Sequence, residues 1–273
     1  MQFASGTTTH VYRKALDQLL RYAKSNTFRF TPNDFSQFRI WLFNRRKLCN
    51  NTVNTYLTAS RRFCEFLVEL GVLKKNPTWS VHGSAQNFNI LGLKLEEVES
   101  RISAIDRTSV LGKRDYAFMS LMFECGAKIS ELINADVGDM KRSGQTVELW
   151  VKTKGTRGES EIIRLTDFAR TALFDYIDSR GRVAADDPLF GTVRAGRALD
   201  VRLSFRGARA AMQKHLKFDE EKSLRLDSLR TYCAVRLMSE GKTPEEIRSC
   251  MRFKSNMPLR KLLNHRKVTA EIK

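Results

Sequence analysis

The stretch from Ser223 to Leu263 does most to limit what this chain can fold into, because helix-forming runs alternate there with hard stops. A first run carries Arg230 and ends at Glu240-Gly241-Lys242. A second opens at Thr243-Pro244-Glu245-Glu246 and gives way to a basic stretch, Met251-Arg252-Phe253-Lys254-Ser255. Proline at the first helical position leaves no free amide, and a glutamate three residues past a threonine cap reaches back to one. Two helices, the second of them capped at its start, with a basic loop behind them are therefore expected.

The first third of the chain is also helical. Val11, Ala15, Leu16, Leu19, Leu20 and Ala23 recur at helix spacing over 7–25. Pro32-Asn33-Asp34 opens a second helix that buries some combination of Phe35, Phe38, Ile40, Trp41 and Phe43 and ends in a basic knot, Arg45-Arg46-Lys47. A third begins at Asn50-Asn51-Thr52, takes its core from Val53, Tyr56, Leu57, Phe63, Cys64, Leu67 and Leu70, and stops at Gly71. Thr52, Asn54 and Thr58 lie beside Arg61 and Arg62, away from that apolar stripe. Such a face either is solvated or contacts base edges and phosphates together.

Asn76-Pro77 closes this unit, and 83–93 has the weak periodicity of a linker. Two domains are expected, a helical one over 1–82 and a larger one over 94–273, the latter starting with a short helix at Leu95. In the larger domain Val147–Thr153 alternates as a strand, with Glu161–Leu165 as its hairpin partner around the turn Lys154-Gly155-Thr156-Arg157-Gly158. Ala169–Ile177 reads as a helix and Pro188-Leu189-Phe190-Gly191 as a short link. Val201–Leu216 reads as an amphipathic helix. Its apolar side is Val201, Phe205, Ala208, Met212 and Leu216, and its cationic side is Arg202, Arg206, Arg209, Gln213 and Lys214. The fold class is mainly α with a small β-sheet.

A formal net charge of +18 points to a polyanionic partner, since lysine and arginine that neutralise phosphates release counterions and gain affinity. Residues 1–82 hold 13 Lys/Arg against 4 Asp/Glu, about twice the charge density of the remainder. No apolar run approaches the length of a membrane span, and the N-terminus does not read as a secretion signal, so a cytoplasmic, nucleoid-associated protein is expected. Five separated cysteines and four scattered histidines offer no Cys-x-x-Cys pair. Neither a structural metal, a disulfide framework nor a cofactor is expected.

The order of these pieces resembles the tyrosine recombinase (phage integrase) family. Arg114-Asp115-Tyr116-Ala117 followed by Gly126-Ala127-Lys128-Ile129-Ser130-Glu131-Leu132 is similar to its first signature, Lys154-Gly155 to its lysine turn, and Leu229-Arg230 to its second arginine motif. The resemblance implies an N-terminal helical core-binding (SAM-like) domain and a C-terminal domain of the recombinase catalytic type, which together clamp duplex DNA. It also implies roles by position. Lys128 stands where the family has a phosphate-binding arginine, and it keeps the charge without the planar fork. Lys154 matches the lysine that protonates the leaving oxygen, although a basic hairpin tip needs no such role. Asp227 stands for a histidine, Met251-Arg252-Phe253 for Leu-Gly-His, and Leu262 for the nucleophilic tyrosine. No tyrosine follows Tyr232.

Since a leucine cannot attack a phosphodiester, the expectation at this point is a chain that is not an enzyme. It would bind specific double-stranded DNA through Thr52, Asn54, Thr58, Arg61, Arg62, Arg45, Arg46, Lys47, Lys128, Lys154, Arg157, Arg202, Arg206, Arg209, Lys214 and Arg230. Its use would be as a transcriptional regulator, such as a repressor of a prophage or other mobile element. Two alternatives stand beside it. One is a divergent recombinase with another nucleophile, Ser255 or a partner's tyrosine. The other is an accessory subunit of an active recombinase. Self-association on DNA through the segment 263–273 is expected from the family.

Overall fold

The computed structural model describes residues 6–83, 93–152, 160–217, 228–260 and 262. The chain divides into two compact units, 1–87 and 88–273. The expected linker lies outside the described residues except for Gly83 and Leu93.

Three helices build the first unit: α1 (Gly6–Lys24), α2 (Pro32–Asn44) and α3 (Asn50–Glu69). Local chemistry starts α2. The Asp34 amide donates to Thr31 Oγ1, while the Asp34 carboxylate accepts from the amides of Thr31 at 2.8 Å and Arg29 at 3.0 Å. Leu19, Tyr22, Phe35, Phe38, Leu42, Val53, Leu57 and Cys64 form the core. Three apolar residues of the expected helices do not join it, Leu20 among them at 57% exposed. Ile40 is 41% exposed between the buried Phe38 and Leu42, and Leu70, at the end of α3, is 59% exposed. Asn76 closes the unit by donating to Arg61 O and accepting from the amide and hydroxyl of the buried Thr78.

The second unit is wound about a buried helix, α5 (Val110–Cys125), which follows α4 (Leu95–Ser103) and is itself followed by α6 (Ile129–Asn134). A three-stranded antiparallel sheet comes next: β1 (Met140–Ser143), β2 (Thr146–Lys152) and β3 (Ser160–Arg164), with Leu149 opposite Ile163. Then come α7 (Asp167–Ser179), the hairpin β4 (Gly191–Arg194) and β5 (Arg197–Arg202), α8 (Phe205–Leu216), α9 (Ser228–Ser239) and α10 (Pro244–Cys250). The expected start of α10 is present, with Thr243 Oγ1 accepting from the Glu246 amide at 3.2 Å and Glu246 accepting from the Thr243 amide at 2.7 Å. Gly241, at φ +76°, supplies the left-handed stop before it.

Three sequence expectations are corrected here. β1 and the β4–β5 hairpin have no counterpart in the strand pattern. The amphipathic helix begins at Phe205, capped by Ser204, so Val201 and Arg202 lie on β5. Val201 and Phe205 are 60% and 46% exposed, outside the apolar side assigned to them. The Pro188-Leu189-Phe190 link is core, with Leu189 and Phe190 fully buried and Phe190 stacked on Tyr176 at 5.6 Å. Among the described residues no helix is long and apolar enough to cross a membrane. All five cysteines are free thiols.

Candidate functional site

Gly126 creates the corner at which the second unit gathers its charges. It ends α5 at φ +59°, and a Cβ there would lie 2.6 Å from Met251 Sδ. Its carbonyl accepts from Arg230 Nη1 at 2.5 Å and from Arg252 Nη2 at 3.1 Å. Arg230 also donates to Met251 O, and its guanidinium lies 5.2 Å from the Phe253 ring centre. Two residues past the corner, Lys128 caps α6. Glu131 reaches back to accept from the Lys128 amide at 2.8 Å and from its ammonium at 2.7 Å, and takes a third bond from Arg252 at 2.7 Å.

Glu131 is 3% exposed. Burial pushes its carboxyl up, but the Arg252 guanidinium and the bonds from Lys128 outweigh that and hold it below the ordinary glutamate range. Glu161, on β3, is more loosely held, at 3.8 Å from Lys128 Nζ and 3.5 Å from Arg252 Nε. Lys128, Glu161, Arg230 and Arg252 line a cavity of about 340 Å³, whose wall also includes Phe253, Lys254 and Leu262. Leu262 is 3% exposed and packs in a satellite core with Met251 and Leu259.

Sequence positions expected to converge thus do so in part. Lys128, Arg230, Phe253 and Leu262 share one cavity. Lys154, Arg157 and Asp227 lie outside the described residues. Arg252, Glu131 and Glu161 were missed. The signal for Arg252 was an arginine at the glycine of the family triplet, and Glu131 sat unread in Ser-Glu-Leu.

Elsewhere the expected surface residues divide. On α8, Arg206, Arg209 and Lys214 are exposed and make no ion pair among the described residues. The helix is anchored from its other side, where His215 Nε2 meets Asp115 Oδ2 at 3.0 Å and Asp115 takes the Arg114 guanidinium at 2.6 Å. Arg202 is occupied differently, donating to Ile133 O and Ala135 O at 2.9 Å each and pairing with Asp136. It staples β5 to the segment after α6.

In the first unit Arg45, Arg46 and Lys47 are exposed, with Arg46 over Trp41 at 5.9 Å. Arg62 pairs with Glu65 at 2.9 Å, Arg61 reaches Val81 O at 3.4 Å, and Thr58 donates to Asn54 O at 2.9 Å. Asn54 packs on Gly83, where a Cβ would meet its Oδ1 at 2.3 Å. Thr52 lines a groove of about 360 Å³ with Val11, Lys14, Asn51, Thr55 and Tyr56, none of which the sequence pattern had singled out as a DNA contact.

Residues 93–263, which contain the whole cavity, match the phage integrase family. The chain belongs to that family. The integrase-family chain is 27% identical over 266 residues to the tyrosine recombinase XerC of Pelotomaculum thermopropionicum (strain DSM 13744 / JCM 10971 / SI), which spans 91% of this chain and 84% of the relative. It is 25% identical over 224 residues to XerC of Bacillus pumilus (strain SAFR-032), spanning 78% and 70%. A lambda integrase dimer bound to a COC' core site has the same fold at a TM-score of 0.68 and 13% identity, over 93% of this chain and 90% of that one. The Tn1549 transposon integrase in complex with a circular intermediate DNA follows at 0.66 and 16%, over 94% and 93%. Tyrosine recombinases are enzymes. Membership in their family, with relatives named for the activity, overturns the expectation that this chain is not one.

Proposed function

We propose that this chain binds a specific duplex DNA site in the cytoplasm, on the nucleoid, and takes part in site-specific recombination there. The observation that carries this reading is the cavity that Lys128, Arg230, Arg252 and Lys254 line beside a single carboxylate, Glu161, leaving an excess of positive charge. A phosphodiester is the anion that a family of DNA strand-exchange enzymes would bring to it. The unpaired cations of α8 and the +18 net charge support contact with the flanking backbone. So do the relatives named tyrosine recombinases, and the fold neighbours captured on a core site and on a circular intermediate DNA.

Strand cleavage needs a hydroxyl, and Leu262 offers hydrocarbon to the cavity wall. The nucleophile is therefore drawn from a partner subunit's tyrosine, with the exposed Ser255, at the end of the basic loop, as the source within this chain. That partner would be a recombinase that carries its own tyrosine, because a second protomer brings the same Leu262 and no tyrosine beyond Tyr232. A second reading gives the same binding surface a regulatory output, as a repressor of a prophage or mobile element. The basic cavity and the exposed cations of α8 would serve it as well, since repression needs the site occupied whether or not strands are later exchanged.

Footprinting on DNA that flanks the gene, with half of each sample run in denaturing detergent, tests these readings. A protected site with a detergent-resistant adduct places the nucleophile in this chain, and peptide mapping would identify it. A protected site without an adduct assigns the hydroxyl to a partner, and adding a tyrosine-bearing recombinase should then produce exchange products. If no fragment is protected, DNA recognition is wrong.

A further inference from the structure

Arg252 holds an unusual position. Its φ of +51° lies in the left-handed region that residues with a Cβ avoid, at a place where the family triplet has glycine. The glycine-like backbone has been kept while a long cation has been added. Strained backbone of this kind persists where surrounding contacts enforce it, and it gathers at functional sites. Here those contacts are the bonds to Gly126 O, Cys250 O and Glu131.

The guanidinium is only partly satisfied by them. The Arg252 side chain is 9% exposed, yet its Nε has no hydrogen-bond partner among the described residues. It lies 3.5 Å from Glu161 Oε2, which is itself buried without a hydrogen-bond partner among the described residues. A cation and a carboxylate thus face each other in the cavity at a distance too long for a hydrogen bond. Glu131, by contrast, is saturated by three short bonds. Glu161 is the acceptor that can be exchanged.

We infer that Arg252 is a phosphate ligand of this cavity, held on Glu161 until a DNA phosphate replaces that carboxylate. A phosphate presents several oxygens to the guanidinium fork, and such charge-assisted, two-point contacts are stronger and shorter than the one observed. Lys128 Nζ, 3.8 Å from the same Glu161 oxygen, would be released toward the phosphate by the same exchange. Arg252 thereby supplies the planar fork that Lys128 lacks. The inference rests on the duplex-DNA reading above.

The test is equilibrium binding of a fluorescent duplex of mixed sequence to the full chain over a series of salt concentrations. It compares wild type, Arg252→Gly, Arg252→Gln, Glu161→Gln and the doubles. Glu161→Gln should tighten binding about threefold to tenfold by removing the competitor. Arg252→Gly, which suits the backbone, should weaken it about tenfold and reduce the salt slope by about 0.9, one phosphate contact. In the Arg252→Gly background the gain from Glu161→Gln should shrink to the part that acts through Lys128, because Arg252 and Glu161 act through one contact. An undiminished gain there would be general electrostatics and would overturn the inference. So would a wild-type salt slope in Arg252→Gly, with duplex binding itself left standing. A wild type that binds no duplex removes both readings. If Arg252→Gly does not fold, Arg252→Gln takes its place in the cycle, keeping a long side chain and losing the charge.

Discussion

His215 on α8 and Asp115 on α5 meet at 3.0 Å with 100 positions of chain between them, and the same carboxylate holds Arg114. All three side chains are largely buried, so the cationic helix α8 is docked by a polar contact as well as by Ala208, Met212 and Leu216. Asp115→Ala would leave the Arg114 guanidinium buried and uncompensated. Removing one partner of a buried ion pair costs about 3–5 kcal/mol, so this variant should show a large drop in unfolding midpoint in denaturant. His215→Ala, which removes a single hydrogen bond, should cost about 1–2 kcal/mol. Equal effects from the two would mean that the Arg114–Asp115 pair contributes nothing by itself.

Glu131 gives a pH dependence with a definite sign. Its carboxyl is held below the unfolded value of about 4.3 despite its burial, by Arg252 and Lys128. A depressed folded pKa contributes stability that is present above the unfolded value and is lost as pH falls through the folded one. Glu131→Gln should therefore be less stable than wild type at pH 7, and the gap should narrow on acidification below about pH 4. Thermal melts of both proteins from neutral to acid pH would show this. A gap independent of pH would deny the carboxylate its charge-based role.

The arginines of β5 and α8 should behave oppositely. Arg206 and Arg209 are free of ion pairs among the described residues, so Arg206→Ala with Arg209→Ala should leave folding intact, weaken duplex binding and flatten its salt slope by about 0.9 per lost contact. Arg202 is tied to Asp136 and two carbonyls, so Arg202→Ala should lower stability and leave the salt slope unchanged. Titrations at several salt concentrations, paired with melts, separate the two outcomes. Unchanged affinity in the double variant would take α8 off the DNA.

Cys250 should be the reactive thiol of the second unit. A hydrogen bond with the Cys233 thiol holds its pKa below the ordinary cysteine value against the cost of burial, helped by Arg252 and Arg236. Cys233 is pushed up by that same bond, and burial pushes Cys125 up. Timed iodoacetamide labelling at neutral pH, read by peptide mass, should mark Cys250 well before Cys125 and Cys233. Simultaneous labelling of all three would contradict this.

What the sequence revealed, and what it hid, follows the range of the interactions. Thr31–Asp34 and Thr243–Glu246 are closed within four residues, so both helix starts were legible. The strand β5 was not, because its character comes from pairing with β4 and from Arg202 reaching Asp136 across 66 positions. Leu70 carries the composition of a core residue, but it sits where α3 has already left the core. At the cavity, motif spacing located Lys128, Arg230, Phe253 and Leu262. Arg252 read as one more cation of a basic loop, since its burial is decided by Glu131, 121 positions away.

The Gly126 carbonyl serves two guanidiniums at once, and this makes the cavity's arginines a matched set. The left-handed turn at Gly126 aims one oxygen at both Arg230 and Arg252. Any change that rotates this peptide displaces both cations in the same direction. A side chain added at Gly126 would thereby disturb both guanidiniums together, although neither arginine is its neighbour in the chain.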